Sequence, residues 1–152
     1  MASIRVGGAD FDVGAEMTAL TAGRSDIGGV GCFLGVVRGD GGLRSMSLEH
    51  YPGMTERALA TIAHEAEARW ALLGCTIVHR VGPLAPGENI VLVLAAAAHR
   101  QVALDATAFL IDWLKTRAPF WKQETLADGT GRWVDARIAD DEAASRWGDL
   151  TA

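Results

Sequence analysis

The stretch from His99 to Glu124 limits the possible folds more than any other part of this chain. It opens with an imidazole and a guanidinium, His99 and Arg100, runs through an apolar middle, and closes on Lys115, Arg117 and Lys122. The apolar middle predicts a helix. Proline lacks an amide hydrogen and disfavours helical backbone in the residue before it, so Pro119 predicts that this helix ends near Arg117 or Ala118. His99 and Lys115 then sit at opposite ends of one rod, roughly 22–24 Å apart at the helical rise. No small molecule spans that distance. If both ends act on one substrate, they must come from two copies of the chain.

With 152 residues, the chain is long enough to bury a real core, and residues 1–152 are expected to form a single domain. The net charge of -5 argues against nucleic acid as a partner, because neutralising a phosphate polymer needs a net basic face. Local clusters of cations in such an acidic chain point instead to a small anionic ligand. Cys32 and Cys75 stand apart, with no CxxC pair and no clustered histidines, so two buried reduced thiols are expected and no metal site or cofactor. The N-terminal residues carry neither a basic region nor an apolar one of the kind that directs secretion. The longest apolar run, Ile90 to Ala98, is about half the length of a membrane span. A cytoplasmic protein without membrane contact is the expectation.

The pattern predicts a short edge strand at Ile4 to Val6 and a short helix from Val13 to Ala22. Val30 to Arg38 reads as a strand with glycines where another backbone or a ligand comes close. Leu43 to Tyr51 alternates apolar and polar residues and is expected to form a hairpin with it. A helix follows from Pro52-Gly53 to about Leu73, with Leu59, Ile62, Ala63, Ala66 and Trp70 as its buried stripe and Glu56, Arg57, Glu65, Glu67 and Arg69 opposite. Gly74 is its expected stop. Thr76 to Val81 reads as a strand, Pro83 to Glu88 as a turn, and Asn89 to Ala98 as a buried central strand. Beyond the 99–124 region, Trp121 to Leu126 and Arg132 to Arg137 read as strands, and Asp140 to Trp147 as a terminal helix. The fold class is α+β, with helices on a largely antiparallel sheet.

Lys115 and Lys122 flank the apolar aromatic segment Ala118-Pro119-Phe120-Trp121, whose surroundings can desolvate an ammonium and fit it for acid–base or nucleophilic work. The carbonyls ending a helix also favour cations, which explains Lys115 and Arg117 without any chemistry. His99 and Arg100 open a helix, where amide dipoles and a bidentate guanidinium suit phosphate, unless they merely cap the helix and pair with a carboxylate. Arg38 ends the glycine-bearing strand, as a ligand group or a surface charge. Glu49-His50-Tyr51 reads as a turn rather than a site, and Glu124 shares a strand face with Lys122 and is expected to pair with it. Asp112 and Trp113 read as structural.

Six stretches in order resemble one family. They are Phe33-x-Gly35-x-Val37-Arg38; Leu48 through Glu56; His79-Arg80-Val81-Gly82 with Leu84-x-Pro86-Gly87-Glu88; Ala98-His99-Arg100; Asp112-x-Leu114-Lys115 through Lys122-x-Glu124; and Arg132-Trp133-Val134-x-Ala136-Arg137. Together they are similar to the MoaE family, the large catalytic subunits of molybdopterin synthase. The resemblance implies an α/β hammerhead fold with a small βαββ-type subdomain. It also implies a homodimer carrying a small ubiquitin-like sulfur-carrier subunit at each end, a heterotetramer. The carrier's C-terminal thiocarboxylate would supply sulfur to cyclic pyranopterin monophosphate, two rounds making the dithiolene of molybdopterin. By the family's pattern Lys115 and Lys122 are the catalytic pair, and Val36, Val37, Arg38, His99, Arg100, Gln123 and Glu124 bind substrate. The rival readings are a non-enzymatic adaptor for a ubiquitin-like tail and a phosphate-ester hydrolase using His99, the latter without a recognisable nucleophile and base.

Overall fold

The computed structural model describes residues 2–134 and 138–148. Its elements in chain order are β1 (Ala2–Gly7), α1 (Val13–Thr21), β2 (Gly29–Val36), β3 (Leu43–His50), α2 (Met54–Trp70), β4 (Gly74–Arg80), β5 (Gly82–Leu84), β6 (Asn89–Ala97), α3 (Arg100–Arg117), β7 (Phe120–Leu126), β8 (Gly131–Val134) and α4 (Ile138–Ser145). The fold is α+β. The strands form two four-stranded sheets, ordered β1-β4-β6-β2 and β5-β3-β7-β8. Every pairing is antiparallel except β1 with β4.

β4 and β6 occupy the centre of the first sheet and are buried along almost their whole length, as expected of strands covered on both faces. Side chains alternate between the two faces. Ile77, Val91, Val93 and Ala95 face the core beneath α2 and α3, where Leu59, Ile62, Phe109, Leu110 and Trp113 interlock. Val78, Leu92 and Leu94 face the other way, against Phe11, Val13, Met17 and Leu20 from α1 and the residues before it. The second sheet has its own small core of Val37, Met46, Leu48 and Leu84. The buried Met46 and Leu48 alternate with the less buried Ser45, Ser47 and Glu49 along β3, so the pattern of a half-buried strand holds.

Four expectations are corrected. β2 and β3 do not form a hairpin: β2 pairs with β6, while β3 pairs with β5 and β7 in the other sheet. Gly29 and Gly31 of β2 leave room for α3 and Gly35 for Val91 of β6, and the 37–42 connection crosses between sheets. Gly74 does not stop α2, which ends at Trp70 with Ala71 in a left-handed conformation (φ 50°). Gly74 instead opens β4, where a Cβ would press to within 2.7 Å of Leu20 Cδ1. Pro83 and Leu84, expected as the start of a turn, instead join Gly82 in a short strand that pairs with β3. Glu65 is buried rather than on a solvated face, held by Arg69 at 2.9 Å.

Cys75 is buried, and burial pushes its thiol up to about 12, but Cys32 is exposed on β2. Asp112 accepts from Arg146 at 2.9 Å and from the Trp147 indole at 2.8 Å, tying the C-terminal segment to α3 as a structural residue would. Among the described residues no helix is long and apolar enough to cross a membrane. The end of the Arg132 to Arg137 motif, from residue 135, lies outside the described residues.

Candidate functional site

Where the sheets meet the C-terminal end of α3, a cleft of ≈ 630 Å³ opens, within the size range of small-molecule sites. β2 supplies one wall. The β2–β6 register slips between Gly35 and Val36, and such a bulge bends the strand and re-aims the residues after it. Beyond it the Val37 amide donates to Glu88 O at 2.9 Å, and the Val37 carbonyl accepts from Gly87 at 2.8 Å. The 85–88 loop thus holds the strand end that carries Arg38 into the cleft. α3 supplies the second wall through Leu114 and Lys115. Pro119 then stops the helix at an extended Ala118, and β7 leaves at once, bringing Phe120 and Lys122 into the same space.

The cleft therefore brings together Val36, Val37, Arg38, Lys115, Lys122 and Glu124 of the expected site. Gln123, expected to bind substrate, is not among the residues that line it. His99 and Arg100 are exposed at the far end of α3, next to Gly29. His99 occupies the N-cap position in extended conformation (φ -126°, ψ 142°) and its side chain caps nothing.

The electrostatics of the cleft favour an anion. Arg38 is 70% exposed and meets Asp40 only at 3.9 Å, so a phosphate can compete for it. Glu124 pairs with Arg132 of β8 (2.7 Å) rather than with Lys122, which leaves Lys122 on the cleft without a carboxylate partner from its own strand. Fourteen basic residues occur in the chain, and Lys115 and Lys122 are its only lysines. Twelve arginines meet every other need for positive charge, so an ammonium is kept only where the cleft is. That count was a signal available in the sequence. An ammonium differs from a guanidinium in being able to give up its proton near neutral pH when its surroundings lower its pKa.

Sequence reasoning assigned no role to His79, although it lies within one of the quoted motifs. It is 4% exposed, lines the cleft floor, and stacks face to face on Phe120 with centroids 3.8 Å apart. Its Nδ1 lies 2.7 Å from the Arg80 carbonyl. Burial depresses its pKa to about 4, and the nearby Lys115 and His50 add to the depression. The ring is therefore neutral at physiological pH. Arg80 itself is structural: its guanidinium donates to Gly8 O and Asn89 O and ties β1's exit to β6.

The fold and the cleft define an α+β protein in which Arg38 and a pair of lysines converge on one cleft. A family model described as "MoaE protein" matches residues 6–117, and the chain belongs to the MoaE family. It is 54% identical over 95% of its length to a protein of Mesorhizobium japonicum named molybdopterin synthase catalytic subunit, covering 92% of that relative. A Pseudomonas aeruginosa protein of the same name is 55% identical over 95% of this chain and 98% of its own. Among solved structures, the molybdopterin biosynthesis MoaE protein of Burkholderia ambifaria superposes with a TM-score of 0.85 at 52% identity, covering 98% of this chain and 99% of that one. Lys122 and Glu124 fall beyond the residues the family model matches, whereas Arg38, His99, Arg100 and Lys115 fall within them.

Proposed function

We propose that this protein is the catalytic subunit of a molybdopterin synthase, a sulfurtransferase. Its substrate would be cyclic pyranopterin monophosphate, and its sulfur donor the thiocarboxylated C-terminus of a small ubiquitin-like subunit. The observation that carries this reading is the convergence of both lysines and Arg38 on one cleft in a member of this family. The names of its relatives at 54% and 55% identity support it.

In this reading the guanidiniums of Arg38 and Arg100, with His99, hold the cyclic phosphate. Each round of transfer breaks a carbon–sulfur bond of the thiocarboxylate and a carbon–oxygen bond of the pterin side chain, joins the sulfur to that carbon and returns the carrier as a carboxylate, a net exchange of one sulfur for one oxygen. Charge develops on oxygen along the way, and a positioned ammonium both stabilises it and moves the proton. Lys115 takes that role, Lys122 supplies the second positive charge, and Val36, Val37 and Glu124 complete the pocket.

His99 and Arg100 reach the pocket only from a second copy of the chain, because α3 separates them from Lys115. The unpaired edge of β2 supports a dimer: Phe33, Leu34 and Val36 are exposed there, an apolar strip that a lone sheet edge would not keep. The chain works as one domain, its two sheets sharing the cleft. We place the activity in the cytoplasm, a reducing compartment that suits the unpaired Cys32 and Cys75.

Incubating the protein with thiocarboxylated carrier and cyclic pyranopterin monophosphate tests the function. A dithiolene product is the expected result. Formation of a carrier complex with no product would make the protein an adaptor instead.

A further inference from the structure

The turn from Ala85 to Glu88 has no part in the scheme above, and its residues are not among those that line the cleft. It nevertheless touches the chain on both sides of Arg38. Before Arg38, the Val37 amide donates to the Glu88 carbonyl at 2.9 Å, and the Val37 carbonyl accepts from the Gly87 amide at 2.8 Å. After it, Gly39 runs so close to Pro86 that a Cβ there would lie 3.0 Å from the proline Cβ. The Arg38 guanidinium comes no nearer to Asp40 than 3.9 Å. Where it reaches is therefore set by the backbone that carries it.

Glu88 closes this turn. Its carboxylate Oε2 accepts from the Ala85 amide at 2.5 Å, and its own amide donates to the Ala85 carbonyl at 3.1 Å. A hydrogen bond to an ionised acceptor is about twice as strong as one between neutral groups. Oε1 lies 3.8 Å from Nη1 of Arg80, a buried guanidinium already held by Gly8 O and Asn89 O. Glu88 is partly exposed, so this ion pair contributes direction more than energy. Gly87 supplies the φ of 89° that the turn requires.

We propose that Glu88 is a positioning residue for Arg38: by closing the 85–88 turn and seating it on Arg80, it fixes the strand end that aims the guanidinium into the cleft. The contacts run from Arg80 through Glu88 to Val37 and so to Arg38. An arginine that grips a phosphate loses side-chain freedom in any case, and a loose backbone beneath it would add a second ordering cost. The functional meaning of the assignment rests on Arg38 holding the phosphate of the proposed substrate.

Amide hydrogen exchange reads the clamp directly. In Glu88→Ala the Val37 amide should exchange about tenfold faster, while Leu92 and Val93 in the buried middle of β6 keep their wild-type rates. Glu88→Gln keeps an acceptor for the Ala85 amide and should restore most of the protection. In the dithiolene assay, KM for cyclic pyranopterin monophosphate should rise about tenfold in Glu88→Ala with kcat within about twofold of wild type. In an Arg38→Ala background the same substitution should raise KM no further, because it acts only through the guanidinium. Should Glu88→Ala fail to fold, Gly87→Ala strikes the same turn through the backbone, since alanine takes that φ only with strain and its Cβ would meet nothing within 4 Å. Unchanged Val37 exchange in the folded variant, or an equal rise in KM with and without Arg38, would overturn the assignment. Failure of the underlying function shows differently, as no dithiolene product from the wild-type protein, and the Val37 exchange rates still judge the clamp.

Discussion

Lys115 and Arg117 lie two residues apart at the end of α3, yet only the lysine lines the cleft. Lys115→Arg keeps the charge but holds its proton at any working pH. Turnover should therefore fall by about 10²–10⁴-fold while substrate binding, read by calorimetry, stays near wild type; near-normal turnover would mean that positive charge alone suffices. His79 adds a prediction about stability. Its pKa falls from an ordinary 6.5 in the unfolded chain to about 4 in the fold, so the unfolded state binds more protons between those values. The contribution is intact above pH 6.5 and is lost as pH falls towards 4, amounting to about 3 kcal/mol. Urea unfolding at pH 7 and pH 4.5 should show a steeper loss in wild type than in His79→Phe, and equal losses would remove the effect. At this scale the sequence was partly legible. Lys115, Lys122 and Arg38 follow from residue type and position, whereas the burial and fixed orientation of a histidine in a strand are visible only once Phe120 and the Arg80 carbonyl are in place around it.

The packing of β2 on α3 is the contact that aligns the cleft's two walls. Gly31 makes it possible, because a Cβ there would lie 2.2 Å from Thr107 Oγ1 and 2.5 Å from Ala103 O. Backbone on one side cannot yield cheaply, so Gly31→Ala should cost about 1–3 kcal/mol in chemical denaturation. Gly7→Ala, where a Cβ meets nothing within 4 Å, should stay within about 0.5 kcal/mol. Equal effects would show that β2 and α3 are not tightly joined. The glycines in β2 announced in the sequence that something comes close. They did not say that it was α3, and this is why β2 and β3 looked like a hairpin. Periodicity identifies a strand but not its partner, and β2 finds β6 because β6, apolar from Ile90 onward, needs neighbours on both edges. The α3 boundaries were the most legible feature, since Pro119 ends the helix by covalent geometry alone. The three-residue β5 was too short to leave a pattern.

On the scale of the whole molecule, one chain presents a cleft with three of its expected cations and leaves the other two at the far end of a helix of 18 residues, about 27 Å long. That separation was visible in the sequence as the spacing between His99 and Lys115. The two-sheet arrangement, set by contacts far apart in the chain, was not. A pocket holding all five would take His99 and Arg100 from a second copy of the chain. The most direct test of this is a heterodimer of a Lys115→Ala chain and an Arg100→Ala chain, co-expressed with different tags and purified through both. Sharing of sites predicts one intact pocket per heterodimer and about half the wild-type sulfur transfer, although each parent homodimer is inactive. A heterodimer as inactive as its parents would show that each chain builds its site alone.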